Sequence, residues 1–271
     1  MHLVKLRYAG DYLQVQKCTY RRYGAPGQKR KKRMSQTCEY NQKYNDRLRA
    51  ENLQLKILLN FENGYHLILK YDKDKRPESY KEADENLKRF LDRIRRKYKK
   101  ENKIFKYIAI TERGKKREAL HHHMIIECIP EIIEDVADHW GKHFEIIKMY
   151  DEGNYKDLAE YFVKIETKEE ATKGKARYHI SRNLKKPHEK ISLQAGSFKK
   201  DPVIPEGFIL VPETLFNGHN KQFGIKYQKY LLKRFDKESK ILRSERKRAK
   251  KCTFWESIKN LTNIFRRKGS G

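Results

Sequence analysis

Residues Tyr107 to Cys128 constrain this chain more than any other stretch. Tyr107-Ile108-Ala109-Ile110-Thr111-Glu112 reads as a strand, and Arg113-Gly114-Lys115-Lys116 reads as the turn after it. His121 to Cys128 reads as a second strand, because Met124-Ile125-Ile126 is apolar and β-prone. A hairpin of this kind leaves Glu112, at the end of one strand, beside His121 at the start of the next. Side chains alternate along a strand, so His121 and His123 share a face and His122 points the other way. Two imidazoles on one rigid strand make a ready pair of metal ligands, and Glu112 supplies a third. The competing reading is a chance polar cluster, since short motifs carry false positives.

The charge balance supplies a second constraint. Lys and Arg number 64 against 36 Asp and Glu, a formal net charge of +28. Such a field favours a polyanion, with nucleic acid first and an anionic membrane surface second, because lysine and arginine displace counterions from phosphates. No apolar run approaches the ~20 residues needed to span a bilayer, and no apolar signal-peptide core opens the chain. The expectation is a soluble, cytoplasmic protein. Cys18, Cys38, Cys128 and Cys252 are scattered without a C-x-x-C pair, against a zinc finger and against a disulfide framework. No Gly-x-x-x-x-Gly-Lys-Ser/Thr stretch exists, so a P-loop helicase motif is absent.

Taken in order, residues 1–33 are basic and tyrosine-rich, ending in Lys29 to Arg33, and read as a solvated tail that adds affinity for phosphates without sequence choice. Leu48, Leu53, Leu55 and Leu58 suggest a helix over 42–59, Asn63-Gly64 a turn, and Tyr65 to Tyr71 a strand buried in a sheet. Ser79 is a candidate N-cap for a long helix with the apolar stripe Leu87, Phe90, Leu91 and Ile94. The spacing of Val136, Trp140 and Phe144 predicts a helix from Ile132 to Phe144, followed by a strand from Glu145 to Tyr150. In the helix from Tyr155 to Lys164, Leu158 and Phe162 share one face while Tyr161 and Lys164 share an adjoining one. The alternation predicts an α+β fold with a mainly antiparallel central sheet, flanking helices, and basic N- and C-terminal extensions. Farther on, Gly207 to Val211 reads as a strand and Ile225 to Phe235 as a helix. Arg243 to Lys251 reads as a basic run, and Phe254, Trp255, Ile258, Leu261, Ile264 and Phe265 as an amphipathic helix.

The strand ending in Glu112, the basic turn, His121-x-His123 and the helix with Tyr161-x-x-Lys164 together resemble the HUH endonucleases. Asn60-Phe61, Ala109-Ile110-Thr111-Glu112 and Ser181-Arg182-Asn183-Leu184-Lys185-Lys186-Pro187 make the chain similar, within that superfamily, to rolling-circle replication initiators of small single-stranded DNA phages and plasmids. The resemblance covers roughly residues 58–190. His122 departs from it, standing where the superfamily has a hydrophobic residue. It divides the chain into a basic N-terminal arm and helix (1–57), a nicking and joining domain (58–190), a C-terminal extension (191–236) and a basic tail with the amphipathic helix (237–271).

The resemblance implies nicking and rejoining of single-stranded origin DNA. Glu112, His121 and His123 would hold a divalent cation, Mg²⁺ or Mn²⁺. Tyr161 would be the nucleophile, ahead of its competitor Tyr155, and Lys164 would assist it. Arg177, Arg182, Lys185 and Lys186 would grip the strand. It also implies a bacterial host cell and help from a host helicase and polymerase. Two other functions fit the same residues: a single-tyrosine transposase or mobilisation relaxase with the same chemistry, and a non-catalytic basic DNA-binding regulator whose histidines merely pack.

Overall fold

A computed structural model describes residues 1–20, 39–61, 63–114, 119–129, 131–141, 143–149, 154–164, 178–220 and 224–235. Its elements are β1 (His2–Ala9), β2 (Tyr12–Thr19), α1 (Glu39–Asn60), β3 (Tyr65–Leu69), α2 (Tyr80–Lys100), β4 (Tyr107–Arg113), β5 (Leu120–Ile126), α3 (Ile132–Trp140), β6 (Phe144–Lys148), α4 (Lys156–Lys164), β7 (His179–Ile180), β8 (His188–Gln194), β9 (Phe208–Asn220) and β10 (Ile225–Arg234). The class is α+β, as the alternation of patterns predicts. The chain divides into two compact units, one of residues 7–10 and 22–189, the other of 1–6, 11–21 and 190–271.

The larger unit is built on a five-stranded sheet in the order β6-β3-β5-β4-β7. Its pairings are antiparallel, with Ile68 and Ile110 both opposite His123. Period-two alternation sorts the strand residues onto two faces. Leu67, Leu69, Ala109, Met124 and Ile126 pack with Leu87, Phe90, Leu91 and Ile94 of α2 and Val136 of α3. Ile108, Ile110 and Ile125 pack instead with Leu53 and Ile57 of α1 and Phe162 and Val163 of α4. Helices therefore cover both faces, and each fully buried aliphatic or aromatic side chain contributes ~1.5–3 kcal/mol. β5, central and buried on both sides, is the most rigid place in this unit to mount a functional side chain.

Local chemistry sets the helix ends. The Ser79 hydroxyl accepts from the Glu82 amide at 3.2 Å, and the Glu82 carboxylate accepts from the Glu78 amide at 3.0 Å, a variant of the capping box. At the other end of α2, Asn102 takes a left-handed φ of 52° and the Lys103 amide reaches back to the Tyr98 carbonyl at 2.8 Å, closing the helix. α3 is shorter than its apolar spacing predicts. It stops at Trp140, before Gly141 with φ 109°, and Phe144 opens β6 rather than ending the helix. The reason is that Gly141 adopts a conformation that side chains other than glycine's resist.

The smaller unit carries the second five-stranded sheet, ordered β8-β1-β2-β10-β9. Two expectations change here. Ile225 to Phe235 is a strand, not a helix: β10 pairs antiparallel with β2 and β9, so its backbone is satisfied on both sides while Tyr230, Leu231 and Leu232 are buried. A short apolar run is compatible with either period, and the two partner strands decide it. Residues 2–19, expected within a solvated tail, form β1 and β2, with Val4, Ala9, Tyr12, Leu13 and Val15 buried. Tyrosine-rich polar alternation is what a strand with one buried face requires. The strand expected at Gly207 to Val211 runs on to Asn220. Lys29 to Arg33, Arg243 to Lys251 and the 254–265 amphipathic stretch lie outside the described residues. Among the described residues no helix is long and apolar enough to cross a membrane.

Candidate active site

The β4–β5 register places Glu112 directly opposite His121 and Ile110 opposite His123, so the carboxylate and the two alternate imidazoles point from one face. His121 Nε2 lies 3.1 Å from His123 Nε2. Glu112 Oε2 lies 3.7 Å from His121 Nε2 and 3.1 Å from His123 Nε2. All three donor atoms fall within 4.8 Å of one another. Adjacent donors on an octahedral ion bound at ~2.1 Å stand about 3 Å apart, so the set fits a small divalent cation. Mixed imidazole and carboxylate donors also suit Mn²⁺ and Mg²⁺ better than a soft metal.

Hydrogen bonds orient these ligands. The Ala119 carbonyl can only accept, and it lies 3.2 Å from His121 Nδ1, which fixes the proton there and frees Nε2 as a donor to metal. His123 Nδ1 lies 3.1 Å from His66 Nε2, with the two rings stacked at 5.3 Å, so His66 on β3 fixes the tautomer of His123 in the same way. Burial, and then the neighbouring His123, push His66 down to about 4, which keeps it neutral. Sequence reasoning alone does not single out His66. The available signal is its place in a neighbouring strand on the face that carries His121 and His123.

Tyr161 completes the cluster. α4 packs through Ala159, Phe162 and Val163 on the sheet and leaves Tyr161 37% exposed above the histidines. Its hydroxyl lies 2.9 Å from His123 Nε2 and donates to Glu112 Oε2. The Tyr161 and His123 rings meet edge to face at 5.1 Å. Burial, and then the bond to and charge of Glu112, push the phenol well above its ordinary value. Burial alone would raise Glu112, but hydrogen bonds with His123 and Tyr161 outweigh it and hold the carboxylate below its usual range. His121 is lowered by burial and by His123, against the Ala119 carbonyl. Tyr155, the competing tyrosine, stands just before α4 with φ 52° and packs against the apolar cluster of Ile110 and Phe162. Lys164 is the last residue of α4, one turn beyond Tyr161; its side chain is outside the description.

His122 faces away from the cluster and is fully buried. The Thr111 hydroxyl donates to Asp84 at 2.7 Å, so it accepts from His122 Nδ1 at 3.0 Å; His122 Nε2 then accepts from the Tyr71 hydroxyl at 2.6 Å. Every polar atom of the imidazole is thus matched, and burial pushes it down to about 3. This chain explains how a histidine occupies a position that the resemblance assigns to a hydrophobic residue.

The expected strand-gripping residues are not at the cluster. Arg177 lies outside the described residues. β7 pairs with β4 at Ile108 and Ala109, and the Ser181 amide bonds the Tyr107 carbonyl at 3.0 Å, so the segment with Arg182, Lys185 and Lys186 leaves at the end of β4 opposite Glu112. The three side chains are exposed. Asn60 ties this segment down, donating to the Lys185 carbonyl at 3.0 Å and accepting its amide at 2.8 Å. Two motifs far apart in sequence thereby hold each other.

Residues 65–170 match the model of a family of replication-associated proteins of the ORF2 type. The span is under half of the chain, and it contains His66, Glu112, the three consecutive histidines and Tyr161. No curated protein and no solved structure gives a significant match.

Proposed function

We propose that this protein is a replication initiator of the rolling-circle type, an endonuclease and strand transferase that nicks and rejoins single-stranded origin DNA through Tyr161. The observation that carries the reading is the meeting of the Tyr161 hydroxyl with Glu112 and His123, two members of a three-donor set. The similarity of residues 65–170 to a replication-associated family supports the same reading, as does the net charge of +28 for a polyanionic substrate.

Glu112 Oε2, His121 Nε2 and His123 Nε2 would hold Mg²⁺ or Mn²⁺. When bound, the cation supplies positive charge against the scissile phosphate oxygens. The tyrosine oxygen forms the new bond to phosphorus as the bond to the 3′ oxygen breaks. The phenol proton leaves for a nearby acceptor, and the departing 3′ oxygen gains a proton to become the free 3′-OH primer. The 5′ end stays on Tyr161 as a phosphotyrosyl ester, so rejoining needs no nucleotide hydrolysis. The charge of Glu112 is among the causes that raise the Tyr161 phenol, so neutralising that carboxylate brings the nucleophile closer to ionisation. Lys164 acts on the same phenol or on the ester charge. Arg177, Arg182, Lys185 and Lys186 hold the strand through phosphates away from the nick. Unwinding and synthesis fall to a host helicase and polymerase.

Incubation with single-stranded origin DNA and Mn²⁺, read on a denaturing gel, tests this reading. Discrete nicking that needs the ion supports it. Binding without cleavage would instead make the protein a non-catalytic DNA-binding regulator.

A further inference from the structure

On the opposite side of the same sheet from Glu112, His123 and Tyr161, the end of β3, α2 and the end of α3 enclose a cleft of about 520 Å³. That volume is in the range of small-molecule sites. We propose that this cleft binds a nucleotide, with its phosphate on Arg89 and Arg93 and its base against Trp140 and Tyr71.

The charges support an anion. Arg89 and Arg93 stand one helical turn apart on α2, both exposed and both lining the cleft. Arg89 donates to the neutral amide of Asn86, and among the described residues neither guanidinium is paired with a carboxylate. The two carboxylates of the cleft are already engaged. Asp72 lies 2.5 Å from His143 and 3.8 Å from Lys75, and Glu82 accepts the Glu78 amide at 3.0 Å in the cap of α2. Two adjacent guanidiniums without acidic partners are the groups that chelate a phosphate.

The wall supports a base. Trp140 is pinned by its indole N–H, which donates to the Lys70 carbonyl at 2.9 Å. Its ring lies 5.1 Å from Tyr71 and edge-on to Phe90 at 5.3 Å. A fixed aromatic wall beside cations suits the π-face of any base, without choosing its sequence. Tyr71 also bonds His122 at 2.6 Å, so an occupant lies one side chain away from the strand that carries His121 and His123.

A phosphate beside a base can come from a free nucleotide or from a nucleotide within single-stranded DNA, and titration of Trp140 emission separates the two. The full chain carries Trp255→Phe so that Trp140 reports alone, and a chelator removes any contribution from metal. Deoxynucleoside 5′-monophosphates, inorganic phosphate and a short single-stranded oligonucleotide are the probes. A saturable change with mononucleotide assigns a free-nucleotide site; saturation with the oligonucleotide alone assigns a site for the DNA strand. In either case Arg89→Ala and Arg93→Ala should each weaken binding about tenfold or more, with unchanged circular dichroism. No saturable change with either nucleotide probe, an equal response to inorganic phosphate, or binding indifferent to both arginine substitutions would overturn the proposal.

Discussion

The hydroxyl of Tyr161 stands 2.9 Å from Nε2 of His123, a residue 38 positions earlier on a different element. One belongs to a helix packed over the sheet and the other to its central strand, so nothing local requires them to meet. The same hydroxyl bonds Glu112, and both partners are candidate ligands of one cation. Ion and phenol thus draw on the same two atoms.

Removing ligands tests the cation directly. His121→Ala with His123→Ala should cut Mn²⁺ affinity beyond the ~10–100-fold that losing an outer hydrogen-bond partner costs. Calorimetric titration checks this, and a double variant that binds as tightly as the parent would show the site to be misassigned. Tyr161→Phe should bind Mn²⁺ at least as well as the parent, because it deletes a competitor for Glu112 and His123.

His66 is expected to act through His123 rather than on the ion. His66→Phe keeps the ring packing but cannot bond Nδ1 of His123, so Mn²⁺ affinity should fall about 10–100-fold. His66→Gln, which can restore a polar contact, should recover part of the loss. Equal affinities in the two variants would reduce His66 to a packing residue.

Burial holds both His66 and His122 low, at about 4 and about 3, against an ordinary 6.5. Below pH 6.5 the unfolded chain takes up protons that the folded chain refuses, so stability is lost as pH falls toward those values. The slope is up to ~1.4 kcal/mol per pH unit for each histidine. Chemical denaturation in chelator between pH 7 and 4.5 should show it, and His66→Phe should flatten it. A pH-independent midpoint would mean that neither group is held neutral.

Gly64 tests the entry to the sheet. A Cβ there would sit 2.4 Å from the Ile126 carbonyl oxygen and 3.2 Å from that of Phe61, both backbone atoms with little room to yield. Gly64→Ala should therefore destabilise by roughly 1–3 kcal/mol, as overpacking does. A change within the noise of denaturant melts would show that the β3–β5 edge relaxes freely.

Much of the catalytic face is legible in the chain because it depends on short-range rules. Strand alternation separates His122 from its neighbours, and a hairpin turn sets Glu112 beside His121; both are local and both hold. The meeting of Tyr161 with this pair comes only through a resemblance, since helix packing is a long-range matter. His66 escapes because strand order, β3 beside β5, is not written in either strand. The β10 segment reads as a helix in isolation because its identity depends on β2 and β9, more than two hundred and a few residues away respectively. Asn60 and Lys185 are linked across 125 positions, so a role as a clasp is visible only once both are placed.

The claim that Tyr161 is the nucleophile stands or falls on one measurement. Single-stranded origin DNA, Mn²⁺ and the full chain are combined, the protein is denatured and digested, and mass spectrometry locates any nucleotide-bearing peptide. The account predicts a DNA 5′ end on Tyr161, loss of both adduct and nick in Tyr161→Phe, and retention of most activity in Tyr155→Phe. A clean nick that leaves a free 5′-phosphate and no adduct on any tyrosine would contradict it.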